Sequence, residues 1–179
     1  MKNTESGMQL MSLAEVNALT REAFVAAFGD VFEHSPWIAE RAWDARPFAD
    51  FEALHQALAF VLRRAETKVK IALMRAHPEL APKLARALEL SKFSGKEQTG
   101  AGLDSCTPDE AESLVELNHE YRAKFGFPCI IAVKHMGKAD ILNRIAGRLT
   151  NTRDAEYAEN MRQILKIAWF RLESLVDPG

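Results

Sequence analysis

Only one stretch of this chain reads as extended: the seven residues "FPCIIAV" at 127–133. A lone strand with no second β run to pair with cannot build a sheet. Those residues are therefore one short strand or a buried extended crossover, and the rest must pack helix on helix. The expected fold is all-α, a single domain over residues 1–179. It is a bundle of about eight helices with one short extended segment after "FGFP". Residues 1–12 are expected to form a flexible N-terminal tail.

The helical reading rests on apolar spacing and on caps. In "TREAFVAAFGDVF", Thr20 is a candidate N-cap, Phe24, Val25 and Phe28 share a face, and Gly29 ends or interrupts the run. In "HSPWIAERAW", Ser35 and Pro36 read as a cap followed by proline at the first helical position. "ADFEALHQALAFVLRRA" sets Phe51, Leu54, Leu58, Val61 and Leu62 on one stripe. "AETKVKIALMRA" continues the pattern, and a further helix is read from Pro78 through "LAPKLARAL". The polar patch "SKFSGKEQTGAGLD", with three glycines, is the most loop-like part of the interior sequence, with room for a short helix around Glu97. In "TPDEAESLVELNHEYRAKFG", Thr107 caps, Pro108 takes the first position, acids fill the first turn and Gly126 stops the helix. "KADILNRIAGRLTN" and "RDAEYAENMRQILKIAWFRLESLV" are two closing helices.

The net charge of -2 and a pI near 6.2 give no electrostatic reason to expect nucleic acid or an anionic membrane as partner. No stretch approaches the roughly 20 apolar residues of a membrane span. Cys106 and Cys129 form neither a CxxC pair nor a zinc spacing with histidine, which favours free thiols in a reducing compartment. The start "MKNTESGMQLMSLAEV" lacks a signal-peptide run, and "VDPG" is not a peroxisomal signal. The expected location is cytoplasmic. The long amphipathic helices leave a homodimer open.

The histidines are His34, His55, His77, His119 and His135. No pair has HExxH spacing and no Cys/His cluster exists, so no metal site is expected. GxGxxG, Walker and GxSxG motifs are lacking too, so nucleotide cofactors and serine-type hydrolysis have no support. His55 and His119 sit among polar neighbours and read as surface residues. His77 differs, because in "AHPEL" Pro78 disfavours the α conformation at the residue before it. The imidazole then leaves the helix and projects from packed helix ends. The patch "SGKEQTGAGL" offers Ser94, Glu97 and Gln98, and a carboxylate near an imidazole forms an acid/base pair working near neutral pH. The competing reading makes His77 a helix cap and Glu97 a surface acid, and spacing alone favours it. Arg171, in the apolar run "KIAWFRLESL", either snorkels to solvent or pairs with something buried, such as a bound carboxylate. Spacing alone favours snorkelling. Backbone N–H groups after "FGFP" have no sheet to satisfy them and must find other partners, of which a ligand is one.

The segments "FGDVFEHSPWIAERAW", "AHPEL", "SGKEQTGAGLD", "LNHEYRAKFGFPCIIAV" and "KIAWFRL" together closely resemble one family. It is the 2-oxo-4-hydroxy-4-carboxy-5-ureidoimidazoline (OHCU) decarboxylases of urate degradation. HPxL, SxxEQxxAGL and FGFPxI in this order are specific, and the likeness runs from about residue 20 to the end. The resemblance implies an all-helical enzyme that needs no cofactor and no metal and makes (S)-allantoin from OHCU. It implies a catalytic role for His77 with Glu97 as its partner, and substrate contacts from Pro78, Ser94 and Gln98. It further implies that Arg171 binds the polar end of the ligand, and that backbone around Cys129, Ile130 and Ile131 meets the imidazoline or ureido part.

This chain departs from the family pattern in "HPELAPK", in Cys129 where phenylalanine is usual, and in "AVK" where CVR is common. Cys129 makes a looser wall than phenylalanine, which leaves room for a drifted substrate preference. A related ureido or imidazoline acid, or a non-catalytic binding role for the same fold, are the alternatives.

Overall fold

The computed structural model describes residues 10–80 and 92–179. Among them lie nine α-helices and no named strand. They are α1 (Leu13–Ala18), α2 (Arg21–Phe28), α3 (Trp37–Ala42), α4 (Phe51–Arg64), α5 (Thr67–Ala76), α6 (Lys92–Gly100), α7 (Pro108–Phe125), α8 (Lys138–Arg148) and α9 (Arg153–Glu173). The fold is all-α, as expected. The helix expected from Pro78 does not begin there, since Pro78, Glu79 and Leu80 are not helical, and the rest of "LAPKLARAL" lies outside the described residues.

Local chemistry explains most boundaries. The hydroxyl of Thr20 accepts from the Ala23 N–H, and Asp50 does the same for Ala53, each satisfying an orphan donor of the first turn. Thr107 and Glu110 form a reciprocal capping box with Pro108 at the first position. Gly126 ends α7 at φ 79°, a left-handed conformation that glycine adopts without a Cβ penalty. Helix α1 was not read from the sequence, yet its signal is there. Ser12 and Glu15 make a second capping box, with bonds of 3.3 and 2.7 Å. Before α3 the arrangement differs from the one expected: Pro36 is the N-cap and no side chain caps the helix.

The core joins Phe24, Phe28 and Phe32 near the start to Leu54, Leu58 and Leu62 of α4 and Ile164, Ala168 and Leu172 of α9. Tyr121, Phe125 and Phe127 stack in a second aromatic group around the end of α7. Burial of these side chains drives the helices together. The chain is also closed end to end. The Met11 N–H donates to the Leu175 carbonyl and the Asp177 N–H donates to Met11, both at 2.9 Å. His119 is exposed, but His55 is buried. Its Nε2 donates to the Leu165 carbonyl at 3.0 Å and its ring meets Trp169 edge-on. Its polar neighbours in sequence, Glu52 and Gln56, stay exposed while Trp169 of α9 packs on the His55 ring. No helix among the described residues is long and apolar enough to cross a membrane.

Candidate active site

Residues 127–133 run through the interior without a sheet, and helix side chains take the place of a partner strand. Asn160 accepts from the Ile130 N–H at 3.0 Å and donates to the Pro128 carbonyl at 2.9 Å. Gln163 accepts from the Ala132 N–H at 2.9 Å, and Arg148 donates to the Ile130 carbonyl at 2.7 Å. Asn160, Gln163, Ile167 and Arg171 recur at intervals of three and four on α9, so one helix face presents them all. The set is braced behind by a buried ion pair of Arg148 with Glu156, to which the Tyr121 hydroxyl also donates.

Alternate peptide groups are thereby consumed. The N–H groups of Cys129 and Ile131 have no protein acceptor among the described residues, although both residues are buried. Asn160→Ala is expected to cost about 2 kcal/mol of folding stability, because it strands the N–H of Ile130 and a carbonyl in the interior. Urea unfolding measures this; a loss within error would mean the segment is held by packing alone.

His77 leaves α5 as the C-cap, with φ -68° and ψ 131°, as proline at the next position dictates. It is buried, and Nδ1 lies 2.9 Å from the Leu73 carbonyl. A carbonyl only accepts, so Nδ1 carries the proton and Nε2 keeps the lone pair. Burial is the main cause holding His77 below the ordinary histidine value, and the Arg171 charge acts in the same sense. The Leu73 carbonyl, Glu33 and Glu97 oppose it. The ring is thus a neutral base near pH 7. The following segment is pinned by Gln98, which donates to the Glu79 carbonyl, and by Asn118, which donates to that of Leu80. The Glu79 carboxylate itself turns outward to Arg122, 2.6 Å away.

The patch around Glu97 is a nine-residue helix, α6, despite its glycines. It faces Arg171, which does not snorkel: it is 2% exposed. Its Nε and Nη2 donate to the two oxygens of Glu97 at 2.8 and 3.0 Å, a bidentate fork. Nη2 also donates to Ser94 Oγ at 3.1 Å. Nη1 donates to the Val31 carbonyl at 3.2 Å and lies 3.1 Å from Glu33 Oε2. The Phe93 ring lies 5.3 Å from the guanidinium. Glu97, expected beside His77, is therefore engaged by Arg171, and Arg171, expected to hold ligand, is engaged by two carboxylates. Glu33 was not singled out from the sequence. Its only signal was an acid directly after the apolar pair Val31–Phe32 in "DVFEHSPW".

All nine expected site residues line one cavity: His77, Pro78, Ser94, Glu97, Gln98, Cys129, Ile130, Ile131 and Arg171. Leu80, Val133 and Ile167 complete its described wall. Its volume is about 20 Å³. An adjoining chamber of about 370 Å³ shares Glu97, Val133, Ile167 and Arg171 with it. Burial pushes the Cys129 thiol up to about 12, so that side chain is a neutral wall and not a nucleophile.

A helical domain that encloses a neutral imidazole, backbone donors and a bidentate carboxylate–guanidinium pair in one mostly apolar cavity has the parts of an acid/base enzyme for a small polar molecule. The family model for OHCU decarboxylase matches residues 17–173. A 2-oxo-4-hydroxy-4-carboxy-5-ureidoimidazoline decarboxylase of Halalkalicoccus jeotgali is 37% identical over 171 residues, covering 96% of this chain and 95% of that protein. A protein of the same description from Haloferax volcanii is 35% identical, with 92% and 96% covered. Among solved structures, (S)-allantoin synthase superimposes with a TM-score of 0.76 at 25% identity, over 93% of this chain and 55% of that one. The chain belongs to the OHCU decarboxylase family.

Proposed function

We propose that the protein decarboxylates OHCU to (S)-allantoin in urate degradation, with no cofactor and with His77 and Glu97 as the acid/base pair. The observation that carries this reading is the oriented imidazole. Nδ1 is tied to the Leu73 carbonyl, and the ring lines the same cavity as Glu97 and Arg171.

The substrate carries a carboxylate and a hydroxyl on one carbon, next to a ring imine. When the carbon–carboxylate bond breaks, carbon dioxide leaves and the electron pair moves into the imine, so no external electron sink is required. Nε2 of His77 takes the hydroxyl proton as the enol-like intermediate forms. The imine nitrogen that received the electron pair takes up a proton from water, one proton returns to carbon on a single face, and the hydroxyl carbon becomes the carbonyl of allantoin. The N–H groups of Cys129 and Ile131, which have no protein acceptor among the described residues, suit the amide edge of such a ring, and Pro78, Ser94 and Gln98 frame it. Glu97, whose side chain is 28% exposed, is the movable half of its ion pair. Its displacement joins the small cavity to the adjoining chamber and makes room for the ureido arm. Arg171 then meets the polar end of the substrate, and the apolar walls exclude water so that protonation stays face-selective. Two cysteines outside any disulfide fit a reducing compartment, here taken as the cytoplasm. Cys129 in the wall favours, as a second reading, a related ureido or imidazoline acid.

Circular dichroism on freshly made OHCU tests the reading. Optically active allantoin is expected to appear faster than in the spontaneous reaction; a rate equal to the spontaneous one rejects the activity. Glu97→Gln keeps shape and removes charge, and is expected to slow turnover about tenfold while the protein stays folded. Unfolding at unchanged activity per folded molecule would show a structural role instead.

A further inference from the structure

One buried acid is not used by this mechanism. Glu33 lies in the turn between α2 and α3 and is 1% exposed. Its Oε2 accepts from Ser94 Oγ at 2.8 Å and sits 3.1 Å from Nη1 of Arg171, while Oε1 is 3.9 Å from His34 Nε2. A carboxylate this deep is tolerated only where cations and donors compensate it. Ser94 on α6 and Arg171 on α9 both line the cavity, whereas Glu33 stands behind them.

Arg171 is gripped from two sides. Glu33 and the carbonyls of Asp30 and Val31 hold Nη1 from the turn. Glu97 holds Nε and Nη2 from the more accessible side. When Glu97 moves aside for a ligand, the turn still fixes the guanidinium. Among the described residues, the charged groups that act on His77 are Arg171, Glu33 and Glu97.

We propose that Glu33 is a positioning residue of the reaction: it anchors Arg171 and Ser94 behind the cavity and keeps a negative charge on the cluster that His77 faces. The inference rests on the decarboxylase reading of the cavity. Glu33→Gln keeps the shape and an acceptor for Ser94 but removes the charge. It is expected to lower kcat about tenfold to a hundredfold with little change in KM, as for a misplaced positioning group. In the same variant the NMR titration of the His77 ring moves to lower pH, because a negative neighbour that favoured the imidazolium is gone. Glu33→Asp keeps the charge but draws it back, so kcat falls while the His77 titration stays near that of the wild type.

The titration needs no turnover. A wild-type protein that fails to decarboxylate OHCU therefore overturns the functional reading, while the titration still decides whether Glu33 acts on His77. An unmoved titration in Glu33→Gln, or wild-type kcat in both variants, overturns the proposal. If Glu33→Gln does not fold, Glu33→Asp decides through kcat alone: a fall supports the anchor and a wild-type value refutes it.

Discussion

His77→Asn is expected to lower enzymatic decarboxylation by about 10²–10⁴-fold, the range for loss of a positioned acid/base group. Asparagine suits the test because its amide N–H can still donate to the Leu73 carbonyl, as Nδ1 does now. The turn before Pro78 and its buried bond are then retained while the basic nitrogen is lost. The melting temperature and the far-ultraviolet spectrum should stay close to those of the wild type. The pH profile gives a second check. Burial holds His77 below the ordinary histidine value, so the neutral form persists through neutrality. Wild-type kcat/KM should be level there and fall only on the acid side of that value, where the ring gains its proton. The residual rate of His77→Asn should lack that limb. Near-normal turnover in the variant would remove His77 from the mechanism.

Arg171→Met is expected to destabilise the fold by about 3–5 kcal/mol, the usual effect of breaking one side of a buried ion pair. Methionine fills much of the volume along α9 but offers no donor to Glu33, Glu97 or Ser94. Glu33, at 1% exposure, is left as a buried carboxylate without its guanidinium. Glu97 is affected less, because it can turn to water. The direction with pH follows. Breaking one side of a buried ion pair costs less where the remaining carboxylates are protonated, so the gap to wild type should narrow as pH falls. Urea unfolding at neutral and mildly acid pH reads both effects. Adding Glu33→Gln should restore much of the lost stability without restoring activity. A loss below about 1 kcal/mol, the scale of an exposed pair, would mean that solvent reaches the cluster.

Several elements were legible because their causes are local. Thr20 and Thr107 lie within a turn of the donors they satisfy, and Gly126 needs only its own backbone freedom to stop α7. The exit of His77 from α5 is a steric matter between neighbours in sequence. Helix α6 was harder, since its glycines weaken local preference. What faces it is Arg171, 74 positions away from Glu97.

The sequence by itself determined the all-helical class, the one extended segment, and the candidate residues, which turned out to share a cavity. Only the tertiary structure decided who pairs with whom. Glu97 and Glu33 both close on Arg171, and Asn160 and Gln163 stand in for a missing strand. Periodicity and caps report forces that act within a turn or two of chain. A buried charge takes its partner from whichever segments packing brings alongside, and no local pattern records that choice.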